Sequence, residues 1–146
     1  MSKPKNNLNV IFELSHIYRD VFVRDFLADY PTPEGLNRTH LRTLLFIMFA
    51  DNPKMSEISG NMGLEKGSFT PVAQKLLALG YISKSKTDKD RRKSILNLTD
   101  KGTELTLEYY AAHEKYINDK LALLGDERDK YLETLEVLLG MTKKMK

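Results

Sequence analysis

The chain has 146 residues, of which 41% are apolar and 29% charged, a balance suited to one folded domain with a real core and not to a disordered chain. The longest apolar run, Leu44–Ala50, is seven residues, far short of the roughly 20 that a membrane helix needs. With no apolar core after the N-terminal lysines, a cytoplasmic location without membrane contact is expected. Cysteine is absent, which excludes disulfides, thiolate metal sites and thiol redox switches within the chain. The net charge of +3 is uneven: Ser83–Ser94 holds six cations and two anions, a local +4. One basic feature on a near-neutral body suits contact with nucleic acid.

In chain order, Leu8, Ile11, Phe12, Leu14, Ser15, Tyr18, Val21 and Phe22 recur at three- and four-residue spacing, predicting a helix over about 6–28. Val10, Ile17 and Val23 fall outside its main apolar face, so a second partner surface is implied. Pro31 and Pro33 end it. Asn37 is placed to cap a second helix reaching about Phe49, with Leu41, Leu44, Leu45 and Met48 inward. Asp51-Asn52-Pro53 reads as a turn. Ser56 is expected to cap a short third helix that Gly63 stops. A fourth helix carries Val72, Ala73, Leu76, Leu77 and Leu79 and ends at Gly80. Two short helices across a tight glycine turn fit a helix-turn-helix.

The period then changes. Residues 81–86 and 94–98 read as strands around a charged 87–93 tip, predicting a β-hairpin. Helix-turn-helix followed by hairpin is the order of a winged helix. Thr99 is expected to cap a fifth helix over about 100–123, and Asp126 a sixth over about 127–144. The expected class is mainly α with a small β-hairpin (α+β). One domain over 1–146 would hold a winged helix-turn-helix core at 34–100. The surplus apolar helices at 1–30 and 101–146 would serve dimerisation.

From Leu36 to Gly102 the sequence resembles the MarR family of bacterial regulators. The match rests on Asp90-Arg91-Arg92, then Leu98-Thr99 and Gly102, in the pattern D-R-R…L-T-x-x-G. Ser56-Glu57-Ile58-Ser59 and the Leu76, Leu79, Gly80, Tyr81, Ile82 block are also in register. Gly67-Ser68-Phe69-Thr70-Pro71 is similar to the G-T-L-T-P segment of the organic-hydroperoxide-sensing branch. The first-helix cysteine with which that branch often senses oxidants is missing, so its sensing chemistry does not carry over.

The resemblance implies a sequence-specific regulator of double-stranded DNA, expected to be a repressor that binds an inverted repeat as a homodimer. Pro71 suits the first position of a helix, where its missing N–H costs nothing. The regular recognition helix is therefore expected to begin at Pro71 with Thr70 as its cap, after an irregular 66–69 turn. Gln74 can pair bidentately with adenine, and Ser68 and Thr70 can touch base edges or phosphate. Lys66 and Lys75 suit phosphates. By resemblance Arg92 enters the minor groove and Asp90 holds its guanidinium, while Lys89, Arg91 and Lys93 sit near phosphates. The plainer reading of each is an exposed helix or turn residue.

Family members often bind a small aromatic or anionic effector. His16, Tyr18, Phe22 and Phe46 are candidates for such a pocket, although aromatics on apolar helix faces usually belong to the core, and no effector residue is assigned. No catalytic motif, metal-ligand spacing or cofactor signature is present, so no enzyme activity, metal or cofactor is expected. Two alternatives stay open: a winged helix that docks proteins, and a constitutive regulator without an effector.

Overall fold

A computed structural model describes residues 6–51, 53–87 and 90–146. The chain divides into two compact units, one of Tyr30–Ala112 and one joining Met1–Asp29 with His113–Lys146. Among the described residues no helix is long and apolar enough to cross a membrane.

In the Tyr30–Ala112 unit, α3 spans Arg38–Phe49, α4 Met55–Asn61 and α5 Lys66–Ala78. The antiparallel hairpin is β1 (Ile82–Thr87) with β2 (Asp90–Leu98), and α6 (Asp100–Ala122) follows it, its residues from His113 on counting with the other unit. This is the expected mainly helical fold with one hairpin. Asn37 caps α3 as predicted: its side chain accepts from the Thr39 and His40 amides, and His40 Nδ1 accepts from the Asn37 amide at 2.9 Å. This reciprocal box satisfies amides that a helix start leaves open.

Two expected caps inside this unit are corrected. Lys54, not Ser56, precedes α4, because Lys54 is held extended by a β-bridge to Ile95. Helix α5 begins at Lys66, five residues before Pro71, so Thr70 is inside it and Glu65 occupies the cap position. Phe69, 1% exposed, explains the early start. Seating that ring in the core requires the 66–70 turn to be helical, and the burial contributes about 1.5–3 kcal/mol. An interior proline costs about 3 kcal/mol, through the missing amide donor to the carbonyl four positions back, here that of Gly67, and through crowding of the ring against that carbonyl.

Gly80 ends α5 as predicted. At φ +79° it lets its own amide reach Leu77 O (3.1 Å) and the Tyr81 amide reach Leu76 O (2.9 Å), a Schellman closure that favours glycine. Leu44, Ile47, Ile58, Phe69, Ala73, Leu76, Ile82 and Leu96 form the core beneath. Thr99 caps α6 as predicted, accepting from the Gly102 amide at 3.0 Å.

In the other unit, the predicted first helix is interrupted. It comprises α1 (Asn7–Arg19), a π-helical turn (Asp20–Arg24) and α2 (Asp25–Asp29). The wider turn leaves carbonyls in need of donors. Tyr116 OH donates to Val21 O (2.8 Å) and His113 Nε2 to Phe22 O (2.6 Å), with Phe26 stacked on the imidazole at 4.3 Å. A carbonyl only accepts, so His113 carries its proton on Nε2. The last helix, α7, spans Arg128–Lys143. Asp126 does not cap it: Gly125–Glu127 is a 3₁₀ turn and Glu127 stands before the helix with no side-chain cap bond.

Candidate nucleic-acid interface

Helix α5 divides cleanly. Phe69, Ala73 and Leu76 are buried one turn apart, which anchors the helix along one stripe. Gly67, Ser68, Pro71, Gln74, Lys75 and Ala78 are exposed and follow the opposite stripe, while Thr70 is half-buried at its edge. Ser68, Gln74 and Lys75 therefore share one accessible face, with Thr70 beside it. Lys66 is the first residue of the same helix. Pro71, expected only to start the helix, has its exposed ring in the middle of this face, and its exposure follows from the burial of Phe69 two positions earlier.

Lys75 does not stand alone. The position a Cβ would take on Gly35 is 3.3 Å from its Cε, so the lysine stem lies along the loop leading into α3. His40 is 7% exposed. Burial first, and then the nearby Lys75 charge, hold its imidazole below the usual histidine range. The neutral ring is also the form the capping box needs, since Nδ1 must accept from Asn37.

The hairpin differs from the expected long loop. Asp90, Arg91, Arg92 and Lys93 belong to β2 and not to a coil, and Lys89 lies outside the described residues. Register runs from Ile82↔Leu98 to Lys86↔Ser94 and then jumps to Thr87↔Asp90. Residues 91–93 are thus a bulge in β2, the sort of backbone irregularity that increases the twist of a ribbon. Strand β1 adds two cations outside the candidate set, Lys84 and Lys86, both exposed. Their signal was the local charge excess; their strand position then supplies the geometry. The Asn97 side-chain Nδ2 donates to Ser85 Oγ (3.1 Å) and braces the hairpin. Behind it, the Leu96 amide donates to Pro53 O (3.1 Å), fixing the hairpin base to the segment before α4.

Of the aromatic candidates for an effector pocket, Tyr18 and Phe22 line a cavity of about 390 Å³ in the unit built from the chain ends. Leu14, Leu121, Leu124 and Tyr131 add to its apolar wall, and Lys120 is its one charged residue. Phe46 instead packs against the core below the hairpin. His16 lies against Phe12, with ring centres 4.2 Å apart and planes tilted by 46°, and is outside the cavity lining.

Comparison with known proteins gives a consistent picture. The model of the MarR family matches residues 34–93. The HTH-type transcriptional regulator MhqR of Bacillus subtilis is 24% identical over 84% of this chain and 83% of its own. The HTH-type transcriptional regulator BilQ of Clostridium symbiosum is 27% identical over 86% of this chain and 90% of its own. Among solved structures, Streptococcus pneumoniae FabT in complex with DNA superposes with a TM-score of 0.71 at 20% identity, covering 97% of this chain and all of that one.

Proposed function

Because the chain belongs to the MarR family of transcriptional regulators, and is a DNA-binding protein rather than an enzyme, we propose that it acts as a homodimeric repressor on an inverted-repeat operator. The observation that carries this reading is the two-faced α5: a buried stripe of Phe69, Ala73 and Leu76 behind an exposed stripe of Ser68, Gln74 and Lys75. Such a helix can enter a major groove while its back stays in the core. Gln74 pairs with adenine, Ser68 and Thr70 touch base edges or phosphate, and Lys66 and Lys75 neutralise phosphates.

The hairpin supplies the second contact. Arg92 enters the adjacent minor groove, with Asp90 holding its guanidinium and Lys89, Arg91 and Lys93 along the backbone. That Streptococcus pneumoniae FabT forms a complex with DNA and that the Escherichia coli relative MprA is a transcriptional repressor support DNA binding and repression as the overall role.

Dimerisation is supported by the helices of the second unit. Neither α1 nor α7 has a buried residue. Leu8, Ile11 and Phe12 on α1 and Val137, Leu139 and Met141 on α7 are all more than half exposed. Apolar surface of that extent calls for a partner, and a second copy supplies it at the two-fold spacing an inverted repeat requires. The domain plan follows: a DNA-binding core at 34–100 between dimerisation segments at 1–30 and 101–146. The cavity beside Tyr18 and Phe22, with apolar walls and Lys120, suits release by a small aromatic or aliphatic acid.

The experiment is selection of bound sequences from a random DNA pool at physiological salt, with Arg92→Ala in parallel. An A·T-rich inverted repeat enriched by the wild type and lost in the variant is the expected result. Enrichment unchanged by Arg92→Ala would remove the minor-groove assignment. No enrichment at all would favour a winged helix that docks protein.

A further inference from the structure

The exit of α5 is held with unusual completeness. Three consecutive carbonyls leave the helix there, and each receives a donor from the turn that opens α6. Lys101 Nζ donates to Leu79 O at 2.7 Å, Thr99 Oγ1 to Gly80 O at 2.6 Å, and the Thr99 amide to Tyr81 O at 3.1 Å. The Lys101 ammonium also lies 4.4 Å from the centre of the Tyr81 ring. Gly102 completes the joint, because its Cα approaches the Tyr81 carbonyl so closely that no side chain fits between them.

Thr99 is committed to capping α6, and Gly102 to close packing. Lys101 is different: neither the fold of α6 nor the core needs an ammonium there. Its place is at the C-terminal end of α5, where a helix carries partial negative charge and a cation is favoured. Only Gly80 and Tyr81 separate the cap residue Leu79 from β1. Small rotations at this joint would swing the exposed face of α5 relative to the hairpin.

We propose that Lys101 is a positioning residue for DNA reading, clamping the Leu79 carbonyl at the end of α5 so that the recognition face and the hairpin keep one mutual angle. The proposal rests on the operator-binding reading above. A protein that reads a major groove and the neighbouring minor groove together needs both elements held to a fraction of an ångström. Without the clamp, specific complexes lose part of their simultaneous contacts. Non-specific binding, which follows phosphates and not base edges, is left alone.

The test compares wild type, Lys101→Met and Lys101→Arg. Amide hydrogen exchange on the free protein comes first. Lys101→Met should accelerate exchange of the Gly80 and Tyr81 amides by about tenfold while α3 and α4 amides keep their rates, and Lys101→Arg should restore them. Operator titrations over a salt series come second. Specific affinity should fall about five- to tenfold in Lys101→Met, the scale of one hydrogen bond's net contribution. Non-specific affinity and the salt slope should stay unchanged. A slope smaller by about one would make Lys101 an ordinary phosphate contact and overturn the proposal, as would an unchanged ratio of specific to non-specific affinity. Unchanged exchange at Gly80 and Tyr81 overturns it whether or not an operator is found. A chain that selects no operator overturns the operator reading, and the exchange result then decides the clamp alone.

Discussion

Gly102→Ala is the sharpest test of the α5–α6 joint. An ideal Cβ on Gly102 would overlap the Tyr81 carbonyl oxygen and stand 2.9 Å from its carbon, and both of those atoms are backbone. No rotamer change relieves the overlap, so the first turn of α6 must move away from Tyr81. Overpacking of this kind costs about 1–3 kcal/mol. The shift also strains the bonds from the Thr99 amide to Tyr81 O (3.1 Å) and from the Gly102 amide to Thr99 Oγ1 (3.0 Å). Each contributes about 0.5–1.5 kcal/mol. Against this, alanine is better than glycine in a helix by up to about 1 kcal/mol. The net is a loss centred near 3 kcal/mol, and for a chain of this size about 6–12 °C in Tm. Gly60→Ala is the matched control: Gly60 lies in α4 with nothing within 4 Å of its Cβ position, so only the propensity gain remains and Tm should hold or rise. The assay is thermal unfolding by far-UV circular dichroism at one fixed protein concentration, since association itself shifts Tm. A Gly102→Ala protein that melts at or above the wild-type temperature would refute the close-approach argument.

Other outcomes follow from the same geometry. His40 is held below the ordinary histidine range when folded, so the unfolded chain takes up the proton first as pH falls. Stability should be level above about pH 6.5 and decline below it; His40→Gln, which keeps a capping acceptor without titrating, should flatten that decline in urea midpoints measured at pH 7.5 and 5.5. Phe69→Ala should cost about 3–5 kcal/mol and release the turn ahead of Pro71, seen as faster hydrogen exchange at Ser68 and Phe69; retained protection there would disprove the account of why α5 starts at Lys66. Ile11→Glu with Val137→Glu alters two positions exposed by 65% and 56% in the lone chain. The double variant should stay folded and sediment as a 16.8 kDa monomer, whereas a wild type that already sediments as a monomer would end the dimer proposal. Arg92→Ala should keep the wild-type Tm and sedimentation yet lose most operator affinity in a mobility-shift titration.

Much of this protein is legible locally. Apolar spacing placed the helices, because a helix buries one stripe whatever packs on it. Asn37, Gly80 and Thr99 marked their boundaries, because capping bonds are made within a few residues. The change of period after Gly80 marked the hairpin. The charge excess of residues 83–94 located a candidate nucleic-acid contact without any coordinates.

What the tertiary structure decided involves partners far apart in the chain. Pro71 and Thr70 make a sound local argument for a cap, yet α5 starts at Lys66, with Phe69 buried among Ile58, Leu76 and Leu96. Ser56 lost its capping role to a bridge between Lys54 and Ile95. The π turn at Asp20–Arg24 is supported by His113 and Tyr116, more than ninety positions along the chain. Lys101 gave no local sign of any role beyond an exposed lysine, since its partners are the carbonyl of Leu79 and the ring of Tyr81. Sequence spacing therefore determined which elements form and which faces they bury, as these depend on neighbours within a turn or two. Only the folded chain decided where competing local signals yield and which side chains hold one element at a fixed angle to the next, because those outcomes depend on contacts that exist only after distant segments meet.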